Sequence, residues 1–405
     1  MLGSKRFLRM IRPRNVLSFG PDTPDLELLS LNVLVGPNGS GKSNLIEVIS
    51  LLRAAPGNLL EPIQTGGGIT EWLWKGSEVP PVAEIDVSVD YSVGITNLRH
   101  RLAFRIVGQR AELVDEAIES EVRYKPDDEE VNYFYRYNGG HPVLNVKTPD
   151  WNSLNGRKAR ELRPAEDLAP DRSVLSQRKD PDQYPELTHL GNQYAKIKLF
   201  REWSLGRSTQ ARRPQATDLP GDFLSEDAAN LALVLNDLEN HSNLRTSSIG
   251  KLTQADETIE DFSTRVVGGT IQLFLRYSGL RASVPATRLS DGTIRYLCLL
   301  AVLCHPSPPP LVCLEEPELG LHPDLLPGLA DLLIEASHRM QLIVTTHSDA
   351  LVDGLTKVPE AVVVCEKRHG STEMRRLTGP ELAKWLKDYG LGQLWRSGEI
   401  GGNRW

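Results

Sequence analysis

The sequence is poor in several features that define whole classes of protein. Its 405 residues include only 4 cysteines, and none of them has the Cys-x-x-Cys spacing of a zinc or redox motif. No apolar run is long enough to cross a bilayer, and no charged segment followed by an apolar one marks an export leader. We therefore expect a cytoplasmic protein without a membrane partner, whose cysteines are reduced packing residues.

A general excess of positive charge is also absent. The 46 Lys and Arg residues are outnumbered by 53 Asp and Glu residues, and the net charge is −7. Residues 151–215 differ from the rest, because they hold 13 basic against 8 acidic residues. This local excess permits contact with nucleic acid, and the interspersed acidic residues suit an ordinary solvated surface equally well.

The most informative stretch is a glycine-rich loop between a predicted strand and a predicted helix. Residues 31–35 form a short apolar run typical of a buried parallel strand, and residues 44–52 repeat apolar positions at helical spacing. Between them lies Gly-Pro-Asn-Gly-Ser-Gly-Lys-Ser, which has the G-x-x-x-x-G-K-S spacing of a phosphate-binding loop. Its glycines allow successive N–H groups to point inward, and the next helix adds its positive end.

This loop predicts a site for ATP and Mg²⁺. Lys42 would reach the β- and γ-phosphates, and the Ser43 hydroxyl would complete the coordination of the magnesium ion. The loop residues that we assign to nucleotide binding are Gly36, Pro37, Asn38, Gly39, Ser40, Gly41, Lys42, Ser43 and Asn44.

Two adjacent carboxylates follow a second apolar strand at residues 311–314. The side chains of Glu315 and Glu316 point in different directions, because strand side chains alternate. In phosphoryl transfer, one such acid holds magnesium and the next polarises the attacking water. We assign Glu315 to magnesium and Glu316 to the general base. The alternative is a strand that simply ends at the surface with two charged residues. The phosphate loop in the same chain favours the catalytic interpretation.

Two further segments carry groups suited to binding an anion. The apolar run 341–345 leads to His347, and an imidazole at the carboxyl end of a strand can donate a hydrogen bond to a γ-phosphate. Before another predicted helix, Ser290 and Gly292 can present a hydroxyl and exposed N–H groups. Asp291 lies between them, and we assign these three residues to nucleotide binding. We assign His347 to catalysis, together with Glu316 and Lys42.

In their order along the chain, these motifs resemble those of ATP-binding-cassette ATPases. The match covers about residues 1–75 and 265–370. Within that class the chain resembles the RecF/SMC-related group, in particular stand-alone ATPases allied to the overcoming-lysogenisation-defect proteins, and residues 35–47, 289–293 and 315–323 carry this resemblance. Transporter ATPases usually have a different signature loop and an aspartate before the catalytic glutamate, and this chain departs from them at both places.

The resemblance implies a head-to-head homodimer that buries two ATP molecules. Ser290 and Gly292 of one subunit would close over the γ-phosphate that Lys42 of the other subunit holds. Gln64 is the candidate for the glutamine that couples magnesium to the lid, and a flexible loop at residues 64–69 explains that segment equally well. Arg12 and Arg14 are weaker candidates for contacts with the base or phosphates.

Relatives in this group often work in DNA repair or in defence against phage. We therefore expect a nucleic-acid-associated sensor or clamp that signals to a separate effector, such as a nuclease or toxin. Two alternatives stay open. One is the motor subunit of a membrane transporter, and the other is a toxin-control or scaffolding protein that binds ATP without hydrolysing it.

The predicted fold is α/β, with a mixed sheet core of the ATP-binding-cassette type, an antiparallel sheet and a partly helical insertion that splits the core. The predicted units are a first lobe at 1–125, a hairpin, basic loop and helical lid at 126–265, and a second lobe at 266–405. Within the insertion, residues 147–187 predict a surface loop. Helical spacing recurs at 190–200 and 231–238, and it indicates either lid helices or ordinary core packing.

Overall fold

The computed structural model describes residues 2, 5–124, 130–138, 141–148, 159–165, 167–169, 171–240 and 242–402. Its strands are β1 Leu8–Arg14, β2 Leu26–Glu27, β3 Leu31–Val35, β4 Ala83–Val89, β5 Leu98–Val107, β6 Arg110–Ser120, β7 Tyr133–Asn138, β8 His141–Thr148, β9 Ala159–Pro164, β10 Lys198–Phe200, β11 Gln215–Ala216, β12 Ile259–Val267, β13 Thr270–Tyr277, β14 Val284–Pro285, β15 Leu311–Glu315, β16 Gln341–Thr345, β17 Val362–Arg368 and β18 Ser371–Arg376.

The α-helices are α1 Lys42–Ala54, α2 Glu61–Thr65, α3 Ile69–Trp72, α4 Val174–Gln177, α5 Pro185–Ala195, α6 Leu231–Asn240, α7 Ser242–Ala255, α8 Asp291–Leu303, α9 Leu326–Ala336, α10 Asp349–Asp353, α11 Gly379–Leu382 and α12 Leu391–Ser397. Short 3₁₀ helices lie at Gln210–Arg212, Ala286–Arg288, Pro323–Leu325, Pro359–Ala361 and Trp385–Lys387. Among the described residues, none of these helices has the length and apolar composition needed to span a membrane.

A six-stranded sheet forms the centre of the fold, in the order β10-β15-β16-β3-β17-β18. Its first five strands are parallel and β18 is antiparallel. The residues of β3, β15 and β16 are nearly all buried, as expected of parallel strands covered on both faces. Because their carboxyl ends meet at one edge, the phosphate loop, the double carboxylate and His347 all lie at that edge.

An eight-stranded antiparallel sheet, in the order β2-β1-β4-β5-β6-β7-β8-β9, packs beside the central sheet. The buried face of this sheet shares a hydrophobic core with α1, whose residues Leu45, Ile46 and Ile49 are fully buried. A third, smaller sheet of β11, β13, β12 and β14 packs against α6 and α8 in a second core. The mixed core and the antiparallel sheet are thus as predicted.

The helical spacing at 231–238 arises from packing in the second core. Leu231, Leu235 and Leu238 are fully buried in α6, which contacts α8, β12 and β13. Each buried leucine side chain of this kind contributes about 2 kcal/mol to the free energy of unfolding. Of the two interpretations, core packing therefore explains this stripe.

Two sequence predictions for the insertion are wrong. The helical pattern at 190–200 does not continue to its end, because α5 stops at Ala195 and residues 198–200 form β10, which joins β15 in the central sheet. The predicted surface loop at 147–187 contains β9 and α4. Residues 149–158, 166 and 170 of that segment lie outside the described residues.

A buried carboxylate explains why part of this predicted loop is ordered. Glu116 of β6 is fully buried, and it accepts hydrogen bonds from Ser173 Oγ (2.5 Å) and Val174 N (2.8 Å) at the start of α4. His100 Nε2 lies 3.2 Å from the same carboxylate. Since a buried charge needs such partners, these contacts hold α4 against the sheet.

Arg212 belongs to the basic segment 151–215, but it does not face solvent. Its side chain is 1% exposed. Its guanidinium donates hydrogen bonds to the carbonyl oxygens of Leu205 (2.7 Å), Leu289 (2.5 Å) and Ala286 (3.4 Å), and it is ion-paired with Asp291. This arginine therefore supports the loop before α8 and is not available to a nucleic-acid surface.

We predict that Arg212→Ala lowers the free energy of unfolding by about 3 kcal/mol or more, because buried carbonyl oxygens lose their donors. The neighbouring Arg213 is exposed, and Arg213→Ala should change that free energy by less than about 0.5 kcal/mol. Urea unfolding of both variants measures the difference. Equal effects of the two substitutions would contradict the structural role of Arg212.

Candidate nucleotide-binding site

The phosphate loop has room for glycine alone at two positions. Gly36 has φ +151° and Gly41 has φ +98°. A Cβ atom at Gly36 would lie 2.2 Å from the Cys365 carbonyl oxygen, and one at Gly41 would lie 2.2 Å from Thr372 Oγ1. The loop is therefore seated closely against β17 and β18, and this seating leaves its other side to a ligand.

The polar groups of the loop suit a polyphosphate. Lys42 is 6% exposed, and its Nζ donates hydrogen bonds to the carbonyl oxygens of Gly36 (2.8 Å) and Pro37 (3.0 Å). Ser40 Oγ is buried and has no hydrogen-bond partner within the described residues. α1 begins at Lys42 without a side-chain cap, so the positive end of this helix points at the loop. A cation, an orphaned hydroxyl and a helix N-terminus together fit phosphate oxygens.

A network that the sequence did not reveal holds the loop in place. Thr372 Oγ1 contacts the Ser40 carbonyl oxygen (2.9 Å) and Ser18 Oγ (2.7 Å). Asn44 Nδ2 donates a hydrogen bond to the same Ser18 oxygen (2.7 Å). Asn44 was assigned to the nucleotide, and in this structure its amide contacts Ser18.

The two carboxylates after β15 occupy different environments. Glu315 ends the strand and is half-buried, and this burial raises its pKa, while the positive charge of Arg201 opposes the shift. Glu316 has φ +45°, a conformation uncommon for a residue with a side chain, and its N–H donates to the Thr345 carbonyl oxygen (3.0 Å). The regular strand therefore ends between the two carboxylates.

The structure brings Glu316 and His347 together. His347 Nε2 lies 3.6 Å from Glu316 Oε1, and both side chains are partly exposed at the sheet edge. A carboxylate and an imidazole at this separation can share a ligand between them. Among the described residues, no group of three or more His, Cys, Asp and Glu side chains is arranged to hold a metal ion. Magnesium would therefore need phosphate oxygens besides Ser43 and Glu315, which are oxygen donors of the kind that this ion prefers.

Glu318 is a functional candidate that the sequence analysis included only as part of the segment 315–323. Its Oε1 atom accepts hydrogen bonds from Thr346 Oγ1 (2.6 Å) and His347 N (3.0 Å), whereas its Oε2 atom is buried and has no hydrogen-bond partner among the described residues. Burial raises the pKa of this carboxyl group. Glu318 therefore fixes the backbone that presents His347, and its spacing of two residues after the double carboxylate was the available signal.

The signature loop lies at the start of α8. Ser290 is exposed and caps the helix, since its Oγ accepts a hydrogen bond from Thr293 N (3.0 Å). A Cβ atom at Gly292 would lie 2.7 Å from the Gly320 carbonyl oxygen. Ser290 and Gly292 line a cavity of about 570 Å³ together with Gly320 and neighbouring residues, and no phosphate-loop residue lines it.

The structure does not join two candidates from the sequence, Gln64 and Arg12, to the other residues of the site. Gln64 is exposed in α2, and within the described residues no hydrogen bond joins it to Ser43 or Glu315. Arg12 is ion-paired with Asp25 (2.8 Å) and Asp86 (2.5 Å) in the antiparallel sheet.

The parallel core and this edge site define a P-loop ATPase of the AAA/ABC type. Residues 31–353 match the family described as "AAA domain, putative AbiEii toxin, Type IV TA system", and the chain belongs to this family. The predicted resemblance to stand-alone ATPases of the RecF/SMC group is confirmed. No curated protein matches the sequence.

Solved structures with a similar fold include two SMC heads. One is described as the SmcHead bound to the C-winged helix domain of ScpA; it has 13% identity and a TM-score of 0.54, over 93% of this chain and 99% of that chain. The other is an Smc head domain with an extended coiled coil, bound to the C-terminal domain of ScpA derived from Pyrococcus furiosus. It has 12% identity and a TM-score of 0.55, over 94% of this chain and 99% of that chain. These likenesses confirm the predicted fold.

We predict that Glu318→Gln stabilises the ligand-free protein at neutral pH, because the variant does not bury a charge. The gain should shrink as the pH falls. As the pH falls below the raised pKa of Glu318, the cost of neutralising this carboxyl group in the folded chain decreases. It disappears below the ordinary glutamate pKa, where the group is neutral in the folded and unfolded chains alike. Urea unfolding at several pH values measures this trend, with the exposed Glu257→Gln as the matched control. A gain that grows on acidification would contradict the prediction.

Proposed function

We propose that this protein is a magnesium-dependent ATP hydrolase whose two copies enclose ATP between them. The observation that carries the proposal is the meeting of the phosphate loop, Glu316 and His347 at one edge of the parallel sheet. The separation of 3.6 Å between Glu316 Oε1 and His347 Nε2 supports a joint role of these two groups.

Each residue at this edge has a distinct task. Lys42 would exchange its bonds to two loop carbonyl oxygens for bonds to the β- and γ-phosphates. Ser43 and Glu315 would hold magnesium, which supplies charge neutralisation for the phosphates when it is bound. Glu316 would accept a proton as water attacks the γ-phosphorus, and His347 would donate a hydrogen bond to a γ-phosphate oxygen. The bond between the γ-phosphorus and the oxygen that bridges to the β-phosphate would break, and ADP and phosphate would leave.

The second copy would complete the site through its signature loop. Ser290 is exposed, and no phosphate-loop residue of its own chain lines the cavity that Ser290 shares with Gly292. These groups can therefore meet a γ-phosphate held by another copy. Hydrolysis would remove the bridging charge and favour separation of the copies.

The family description supports a separate effector for this switch, because it names a toxin and a toxin–antitoxin system. It also keeps the alternative of an ATP-binding toxin-control protein that does not hydrolyse ATP. For nucleic acid, the support is the basic character of 151–215. The structure reduces that support, because Arg212 is buried and Arg178 is ion-paired with Asp167.

Glu316→Gln tests the proposed general base. We expect retained ATP binding, ATP turnover reduced by at least about 100-fold, and a dimer with ATP that lasts longer than in the native protein. Calorimetry measures ATP binding, phosphate release measures turnover, and light scattering measures the dimer. Unchanged turnover would remove Glu316 from the role of base, and native protein that binds ATP without turnover would favour the toxin-control alternative.

A salt titration tests the nucleic-acid part of the proposal. We expect ATP-loaded protein to bind duplex DNA, and log affinity should fall against log salt with a slope of about −0.9 for each phosphate that the protein neutralises. One variant replaces four exposed cations of the basic segment by Gln: Lys179, Lys196, Arg207 and Arg213. Its control replaces Lys357, Lys384, Lys387 and Arg396, which are also exposed. Equal weakening in the two variants, or no binding at low salt, would contradict a DNA surface at 151–215.

A further inference from the structure

Arg201 leaves the central sheet next to the predicted magnesium ligand. It directly follows β10, the edge strand, in which Phe200 pairs with Leu314 of β15 in parallel register. One residue further along each strand, Arg201 comes level with Glu315.

The guanidinium of Arg201 is only partly satisfied. Its Nη1 donates a hydrogen bond to Glu47 Oε1 (2.5 Å), whereas its Nε and Nη2 atoms are buried and have no hydrogen-bond partner within the described residues. Glu47 lies one helical turn after Ser43 in α1, so both side chains are on the same face of that helix. Arg201 thus reaches the helix face that carries the other predicted magnesium ligand, and it has two N–H groups left to donate.

An open cleft lies beside the partly exposed side chain of Arg201, whose Nε and Nη2 atoms are turned away from solvent. The cleft has a volume of about 950 Å³, and Arg201 and Glu47 line it together with residues of α2 and α5. An unpaired guanidinium edge held by one carboxylate suits phosphate oxygens, because Arg presents paired donors in a planar fork.

Arg201 also begins a segment that ends at the signature loop. We call residues 201–212 the strap. At its far end, Arg212 is bonded to the Leu289 carbonyl oxygen and to Asp291. In between, Trp203 packs against Phe200, with ring centroids 5.4 Å apart, and Arg295 of α8 lies 5.7 Å above the Trp203 ring. One short stretch of chain therefore connects the sheet edge to the loop that would face the second copy.

We propose that Arg201 binds the terminal phosphate of a nucleoside triphosphate, and that the strap transmits this contact to the signature loop of the same chain. This inference rests on the proposed function, because it needs a nucleotide on the phosphate loop. A diphosphate lacks the group that Arg201 would contact. The arrangement of the signature loop that a second copy would meet thus depends on whether the chain's own site holds the triphosphate.

The test compares the binding of ADP and of a slowly hydrolysed ATP analogue by calorimetry. We expect Arg201→Ala to lower the affinity for the triphosphate analogue by at least about tenfold, because a charge-assisted hydrogen bond is removed. The affinity for ADP should stay within about twofold of the native value, because ADP lacks the terminal phosphate that Arg201 would contact. Arg201→Lys should recover part of the affinity for the analogue.

Arg53→Ala is the matched control. Arg53 lines the same cleft and is ion-paired with Glu226, but it lies in α1 away from the strand ends. It should not change the ratio of the two affinities. If Arg201 had a purely structural role, Arg201→Ala would weaken the binding of both nucleotides equally. An unchanged ratio of the two affinities in this variant would therefore overturn the inference. Native protein that binds neither nucleotide would instead overturn the proposed function on which the inference rests.

Hydrogen exchange gives a second readout that does not involve turnover. At protein concentrations where light scattering finds monomers, the triphosphate analogue should slow amide exchange in the strap and in residues 286–293 of native protein, and ADP should not. Arg201→Ala should abolish this difference while analogue still binds at saturating concentration. Equal protection by both nucleotides in the native monomer would overturn the role of the strap.

Discussion

The parallel register of three central strands is the constraint on which the rest of the structure depends. Thr345 of β16 is level with Glu315 of β15 on one side and with Leu34 of β3 on the other. The residues that follow each strand must therefore emerge together. A shift of one strand by a single residue would invert which of its side chains face each side, and it would separate Glu316 from His347.

Negative charge at this edge is unfavourable in the absence of a ligand. Burial raises the pKa of both Glu315 and Glu318, so their ionised forms are disfavoured in the ligand-free fold. The cations nearby are held by other groups, Lys42 by loop carbonyl oxygens and Arg201 by Glu47. In the proposed function, a metal ion would offset the charge of the carboxylates, and the phosphates of a nucleotide would take over the contacts of the two cations.

The sequence predicted those parts of the site that depend on neighbours along the chain. Strand, loop and helix around Lys42 are contiguous, and so are β15 with its carboxylates, so spacing alone was informative. Arg201, Arg212 and Glu318 were not singled out from the sequence, because each makes its contacts with residues that are distant in the chain. The error at 190–200 has the same origin: a short apolar run suits a helix or a strand equally, and only pairing with β15 decided for a strand.

The contact between Thr372 and the phosphate loop has a consequence for the synthesis of the protein. Thr372 and Ser40 are 332 residues apart, and β3 pairs with β16 and β17, which also come late in the chain. A ribosome must therefore synthesise the chain as far as Thr372 before the loop has all of these contacts. Until then a nascent chain carries the phosphate-loop motif without the strands that hold the loop in its folded shape.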